Sequence, residues 1–198
     1  PNVVAATPMY NPSNFYGETT AGKNGKYQGW TQILGMDPSS IEPMGYNLIT
    51  GTYLSGQRLG KDKIPVLVEA QAVFNFYDPK KNPNSPNYMK YPEYNDEDYN
   101  KPVNLPRYDE NGTLLNPEDA FFDFMHTDLV YRMNIGYDEN TDEPKYKEYE
   151  LWVVCMIAGN SRGVEVVGNV IMSLGDGKGM EADYKKLTKS SSSSGGYY

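Results

Sequence analysis

The amino-acid sequence predicts an all-β fold, mainly antiparallel, organised as one β-sandwich or jelly-roll-like domain. Three observations lead to this prediction. Apolar and polar residues alternate along several runs, which is the period of a strand. The connections between the last runs are short, as in an antiparallel meander. A chain of 198 residues is also long enough for one sizeable core.

Residues 1–44 are predicted to form an extended, irregular N-terminal arm. This stretch is rich in Gly, Pro and Asn and has no sustained helical or strand period. Large aromatic residues are spaced along it and are suited to anchoring the arm on another surface. They are Tyr10, Phe15, Tyr16, Tyr27 and Trp30.

Residues 45–189 are predicted to form the β-sandwich domain. Strand alternation is present in residues 46–54, 64–77, 129–135, 150–157 and 164–174. The run 64–77 is the longest, and one of its faces is entirely apolar, so we expect that face in the core. The last three runs are expected to form an antiparallel meander.

A long loop over residues 78–117 is predicted to interrupt this domain. Seven prolines lie between Pro79 and Pro117, and each removes a backbone donor and disfavours helix before it. The loop also contains Tyr88, Tyr91, Tyr94 and Tyr99. Proline and tyrosine lose little conformational entropy on docking, so this composition favours adhesion to another protein.

The end of the chain is predicted to be a flexible turn at residues 175–179, a short helix at 181–187, and an extended Ser/Gly tail at 190–198. A short helix is also expected at residues 116–125, where Asn116-Pro117 is a helix-start signal. Within the tail, Tyr197 and Tyr198 are the side chains suited to docking.

Composition disfavours several classes of partner. The net charge of -8 opposes binding to nucleic acid or to anionic lipid, and no apolar run is long enough to cross a membrane. The lone Cys155 excludes an internal disulfide. Because the N-terminus has no basic segment followed by an apolar one, we expect synthesis in the cytoplasm.

The candidates for chemistry are few, and we predict no catalytic residue, metal site or cofactor. His126 is the single histidine and Cys155 lies in an apolar strand run, so a Cys–His pair is disfavoured. Residues 138–143 begin like a calcium loop, but Glu143 replaces the required glycine, and we interpret them as a solvated hairpin tip. The glycine-rich stretch 175–179 lacks the Ser or Thr that follows lysine in a phosphate-binding loop.

Taken together, the aromatic arm, the Pro/Tyr-rich loop, the meander and the Ser/Gly tail resemble the accessory head or tail proteins of tailed-bacteriophage virions. The resemblance implies a non-enzymatic structural or decoration subunit of the virion, a homo-oligomer, and arms that clamp neighbouring capsid or tail subunits. The expected partner-binding residues are Tyr10, Phe15, Tyr16, Trp30, Tyr88, Tyr91, Tyr94, Tyr99, Tyr197 and Tyr198. The alternative is a carbohydrate-binding β-sandwich module or adhesin, with exposed aromatic rings stacking on sugars. An enzyme is a third, less favoured hypothesis.

Overall fold

The computed structural model describes residues 6–54, 63–97, 99, 101–160 and 170–191. In these residues ten strands form one open sheet, accompanied by two α-helices. The strands are β1 (Met9–Tyr10), β2 (Gly17–Ala21), β3 (Tyr27–Gly29), β4 (Ile33–Met36), β5 (Tyr46–Gly51), β6 (Lys63–Glu69), β7 (Phe76–Tyr77), β8 (Leu129–Tyr137), β9 (Pro144–Asn160) and β10 (Val170–Ser173). The helices are α1 (Pro38–Ile41) and α2 (Leu174–Ser191), and short 3-10 turns occupy Lys23–Gly25, Ala70–Asn75, Pro117–Asp119 and Phe124–His126.

The prediction of an all-β sandwich or jelly-roll-like domain is wrong. The strands follow the order β1-β4-β10-β6-β9-β8-β2-β3-β7 in a single sheet, with β5 pairing β9 beside that path. Two pairs, β4–β10 and β6–β9, are parallel. With α2 packed on it, this open mixed sheet gives a mixed α/β fold.

The meander prediction fails at its last step. β8 and β9 do pair antiparallel, but β10 lies between β4 and β6 and not beside β9. The reason is its composition: Val170 and Met172 enter one core cluster while Ile171 enters the other. A strand that is apolar on both faces belongs at the covered centre of a sheet.

Each face of the central strands carries its own core cluster. The larger one includes Val66, Val68, Leu151, Val153, Phe76 and Phe124. The smaller one includes Leu34, Met36, Ile41, Tyr46, Leu67, Cys155 and Ile157. Because successive strand residues point to opposite faces, the continuous apolar runs of β4, β6 and β9 supply both clusters at once.

β9 organises the sheet because it pairs with three strands. Its first half, from Pro144 to Leu151, pairs with β8, and its last third, from Cys155 to Asn160, pairs with β5. On its other edge, the stretch between Glu150 and Ile157 pairs with β6. β5 therefore pairs with the same edge of β9 as β8 does, beyond the point where β8 ends.

The segment predicted as an irregular arm is part of the sheet. β1, β2, β3 and β4 all fall within residues 1–44, and β2 pairs with β8 over five residues. Thr19 at the centre of β2 is fully buried and its hydroxyl contacts that of Thr31. The runs are only two to five residues long, which is too short for alternation to be recognised in the sequence.

The expected single strand over residues 64–77 is divided. β6 ends at Glu69, and Ala70–Asn75 forms a 3-10 turn before β7. Ala72, Val73 and Phe74 are buried in this turn. Alanine has low strand propensity, so tight packing of a turn against the core overrides the alternation here.

The predicted flexible turn at residues 175–179 is instead the first part of α2. Ser173 precedes the helix, and its Oγ accepts from the Asp176 backbone N at 3.0 Å and donates to the Asp176 carboxylate at 2.7 Å. This reciprocal cap satisfies donors that a helix start leaves unpaired. A Cβ at Gly177 would lie 3.2 Å from the Tyr10 ring, so glycine allows α2 to approach β1 and β4 closely.

α2 is fixed on the larger cluster by its buried and polar faces. Met180 is buried, and the Tyr184 ring lies 5.8 Å from that of Phe15. The Glu181 carboxylate accepts from Lys185 at 2.8 Å and from Asn14 at 3.0 Å. The ion pair with Lys185, followed by other hydrogen bonds, lowers the pKa of Glu181 to about 2. The helix extends to Ser191, so it includes the start of the predicted tail, while 192–198 lie outside the described residues.

Candidate partner-binding surface

Buried polar side chains join separate parts of the Pro/Tyr-rich segment 78–117 to one another. At its start, the Asp78 backbone N donates to the Tyr88 carbonyl at 2.9 Å, and the Asp78 carboxylate accepts from the Lys80 backbone N at 3.0 Å. Asp78 is itself buried. Residues 78–88 therefore form a closed turn on the end of β7.

Asn104 joins two limbs of the segment. Its Oδ1 accepts from the Glu93 backbone N and its Nδ2 donates to the Tyr91 carbonyl, both at 2.9 Å. The Val103 backbone N donates to the Glu93 carbonyl at 2.7 Å beside it. A buried amide that satisfies both neighbours fixes the backbone that carries Tyr91.

Asn116 performs the same task at the end of the segment. Its side chain is 1 % exposed. Its Oδ1 accepts from the Arg107 backbone N at 2.8 Å, and its Nδ2 donates to the Leu105 carbonyl at 3.1 Å and to Asp119 at 2.7 Å. The sequence suggested Asn116 as a helix cap, but its side chain makes no capping bond and ties two loops together instead.

The inner side of the segment packs on the larger core cluster. Leu105 and Ala120 are buried there, and Tyr108 lies against the cluster. The Tyr108 hydroxyl donates to Asp123 at 2.8 Å, and burial together with this carboxylate raises the pKa of Tyr108 well above its ordinary value. The described part of the segment is thus a layer with one side packed on the core and the other side toward solvent.

The outer side presents large aromatic side chains to solvent. Tyr91 is 62 % exposed and Tyr99 is 69 % exposed, and Tyr94 and Val103 are exposed with them. We call the three tyrosines of this group the aromatic face. Exposed aromatic side chains on an ordered scaffold are typical of protein-binding surfaces. Tyr88 is different, because it is half-buried with its ring 5.2 Å from that of Tyr77.

A second exposed aromatic group consists of Tyr16 immediately before β2, Trp30 immediately after β3, and Tyr137 at the end of β8. Trp30 is 62 % exposed, and the Tyr16 hydroxyl lies 3.4 Å from that of Tyr137. Tyr16 and Trp30 border a cavity of about 340 Å³ that Asn11 and Gln32 also line. We call Tyr16, Trp30 and Tyr137 the second surface. The sequence did not indicate Tyr137, because its place at the end of a strand gives no signal of exposure.

The remaining predicted docking residues serve inside the protein or lie outside the described part. Phe15 is buried against Tyr184, and Tyr10 packs on Gly35 of β4. Tyr197 and Tyr198 are beyond the described residues. The sequence missed the anchoring amides of Asn104 and Asn116, although asparagine within a proline-rich segment is a usable signal of local side chain to backbone bonding.

The two residues considered for catalysis, Cys155 and His126, differ in burial: the first is enclosed and the second is exposed. Cys155 is fully buried, and this burial raises the pKa of its thiol to about 12. The His126 Nδ1 lies 2.8 Å from the Asp123 carboxylate on the exposed end of a 3-10 turn. A thiol that is protonated and enclosed cannot act as a nucleophile toward a substrate in solution.

The acidic stretch 138–143 is a hairpin tip. The Asp138 carboxylate accepts from the Asn140 backbone N at 2.9 Å and pairs with Lys145 at 3.1 Å. The bond from Asn140, then the ion pair with Lys145, lowers the pKa of Asp138. Across the described ranges, no three His, Cys, Asp or Glu side chains are grouped as metal ligands would be.

Neither α-helix in the described part of the chain combines the length and apolarity needed to cross a bilayer. No protein-family model matches the sequence, and neither a curated protein nor a solved structure is significantly similar to it.

Proposed function

We propose that this protein is a non-enzymatic structural subunit of a virion, a head or tail accessory or decoration protein that docks onto neighbouring subunits. The observation that carries the proposal is the aromatic face on segment 78–117. Its large side chains face solvent, while the buried amide of Asn104 fixes the backbone at Tyr91 and Glu93. The resemblance to accessory virion proteins suggests the kind of assembly.

Preorganisation is the physical reason for assigning binding to this face. A flexible loop loses conformational freedom on docking, and each immobilised side chain costs about 0.5–1.5 kcal/mol. Asn104 and Asn116 hold the backbone in place before any partner arrives. Tyrosine adds a large contact area and has few rotatable bonds, so little side-chain conformational entropy is lost when a partner immobilises it.

The second surface provides an additional contact on the same body. When two surfaces of one subunit engage the same assembly, the second contact forms at high effective concentration. Modest affinity at each surface then gives stable incorporation. A homo-oligomeric arrangement offers several such contacts at once.

The test is incorporation of a triple variant, Tyr91→Ser, Tyr94→Ser and Tyr99→Ser, into virions purified from producing host cells. All three side chains are exposed, so the fold is retained, and urea unfolding verifies this. Leu115→Ser is the matched control, because Leu115 is an exposed apolar residue of the same segment outside the aromatic face. We expect the triple variant to lose incorporation and the control to keep it.

Equal incorporation of wild-type protein and triple variant would refute the role of the aromatic face. Absence of the wild-type protein from purified particles would refute the virion assignment itself. Hydroxyl-radical footprinting gives an independent measurement, since the proposal requires that Tyr91 and Tyr99 are less oxidised in the particle than in the isolated protein.

Glycan binding is a second candidate, because the second surface combines aromatic rings with amide groups. Trp30 and Tyr16 border the cavity that Asn11 and Gln32 line. Aromatic faces beside polar side chains suit stacking and hydrogen bonding to a sugar ring. A saccharide array with wild-type protein and Trp30→Ala distinguishes this function: saturable binding lost in the variant favours it, and no binding by wild-type protein excludes it.

A further inference from the structure

A groove lies between the end of the Pro/Tyr-rich segment and the sheet. Its volume is about 520 Å³, within the roughly 300–1,000 Å³ range of ligand-binding pockets. Ile49 of β5 and Ala158 of β9 form one side, and Val103, Leu105 and Tyr108 form the other. The groove is therefore mainly apolar and has room for a large side chain.

Two cations stand at the rim of this groove. Lys101 and Arg107 both line it and both are exposed. Neither takes part in the ion pairs found among the described residues, and the described lining includes no Asp or Glu. On a chain with a net charge of -8, the described lining of this groove thus carries two cations above an apolar pocket.

We propose that this groove binds an acidic segment of a partner protein, with one apolar or aromatic side chain in the pocket and flanking carboxylates on Arg107 and Lys101. The proposal rests on the proposed function and specifies the chemistry of the partner. The planar guanidinium of arginine matches a carboxylate with two parallel hydrogen bonds. Two cations offer few phosphate contacts, so nucleic acid is disfavoured as the occupant.

Recognition through side chains fits the edge strand beside the groove. β5 pairs with β9 through two register irregularities, between Tyr46 and Leu48 and between Leu48 and Thr50. Bulged edge strands do not offer the regular ladder that strand addition needs. Affinity is thus expected from the pocket and the two cations, and charge complementarity sets the choice of partner.

The test measures fluorescence anisotropy with three labelled, end-blocked pentapeptides. The first is Asp-Glu-Phe-Glu-Asp, the second replaces its phenylalanine with serine, and the third replaces its acids with the corresponding amides. We expect the full-length protein to bind the first peptide at least about tenfold more tightly than either of the others, a difference of about 1.4 kcal/mol. Equal binding of all three peptides, or no binding of the first, would overturn the proposal.

Variants then locate the site. The pair Lys101→Glu and Arg107→Glu reverses the rim and is expected to abolish binding of the acidic peptide. The pair Lys80→Glu and Lys81→Glu makes the same change in charge at exposed positions of the same segment outside the groove lining and is expected to retain it. Unaltered binding by the rim variant overturns the proposal.

Two further results separate this inference from its alternatives. Sedimentation of wild-type protein and of the rim variant tests for self-association, and an oligomer that the rim variant dissolves would make a second copy the occupant and overturn the proposal. The triple variant of Tyr91, Tyr94 and Tyr99 leaves the groove lining intact, so we expect it to bind the acidic peptide normally. The proposed role of the groove and the proposed role of the aromatic face are therefore tested by separate measurements.

Discussion

Asn116→Ala tests the claim that the Pro/Tyr-rich segment is fixed by buried amides. The substitution removes three hydrogen bonds, made with the Arg107 backbone N, the Leu105 carbonyl and Asp119. At about 1 kcal/mol for each bond, the free energy of unfolding falls by about 3 kcal/mol. The loss is large for one polar residue because the Asn116 side chain is buried and water does not replace its bonds.

Urea denaturation measures the change in unfolding free energy, and hydrogen exchange shows where it originates. We expect the Arg107 amide to exchange faster, since it donates to Asn116 in the wild-type protein. Asn111→Ala is the control: Asn111 is exposed in the same segment, and the change in its unfolding free energy stays within about 0.5 kcal/mol. A loss below about 1 kcal/mol for Asn116→Ala, with unchanged exchange at Arg107, would refute the reasoning.

Three other predictions concern the core, the pH dependence and α2. Burial raises the pKa of Cys155 to about 12, so a thiol reagent at pH 8 labels the urea-unfolded protein but not the native one. The folded-state pKa of Glu181 is lowered from 4.5 to about 2. The stability that the Glu181 carboxylate contributes is therefore complete above pH 4.5 and is lost as the pH falls toward 2. We expect Glu181→Gln to flatten the dependence of unfolding free energy on pH in that window. Gly179 has open space around it, so Gly179→Ala raises the free energy of unfolding by about 0.5–1 kcal/mol. Gly177→Ala lacks this gain in the same urea titration because its Cβ presses on the Tyr10 ring.

Alternation in the sequence was sufficient to locate the longer strands. The runs beginning at Tyr46, Leu129 and Leu151 correspond to β5, β8 and the second half of β9, and the antiparallel pairing of β8 with β9 is confirmed. Local alternation gives strand positions because side-chain direction depends only on the backbone of the strand itself. It contains no direct information about which strands become neighbours.

The sheet order depended on information that alternation does not carry. The short runs of β1 to β4 read as an irregular arm, and β10 was assigned to a meander because consecutive strands usually pair. The better signal was the continuous apolar run within each of β4, β6 and β10, which indicates strands covered on both faces. The prediction located α2 only over residues 181–187 and missed its first two turns, because three glycines outweighed the Ser173–Asp176 capping pattern.

The candidate site was only partly accessible to sequence reasoning. Tyr91, Tyr94 and Tyr99 were predicted as docking residues, and the structure places all three on the solvent side. Phe15 was also predicted, but it is enclosed beside Tyr184. Composition cannot distinguish the two cases, because an aromatic ring gains free energy equally from a core and from a partner.

The length of β9 has a mechanical consequence. Its first residue, Pro144, pairs with Tyr137 of the second surface, and Ala158 near its other end lines the groove beside the aromatic segment. At about 3.3 Å per residue, those fourteen steps span roughly 45 Å of continuous backbone. If partner proteins bind both surfaces as proposed, a load between them passes along this one strand and is shared by its hydrogen-bonded ladders to β8, β6 and β5.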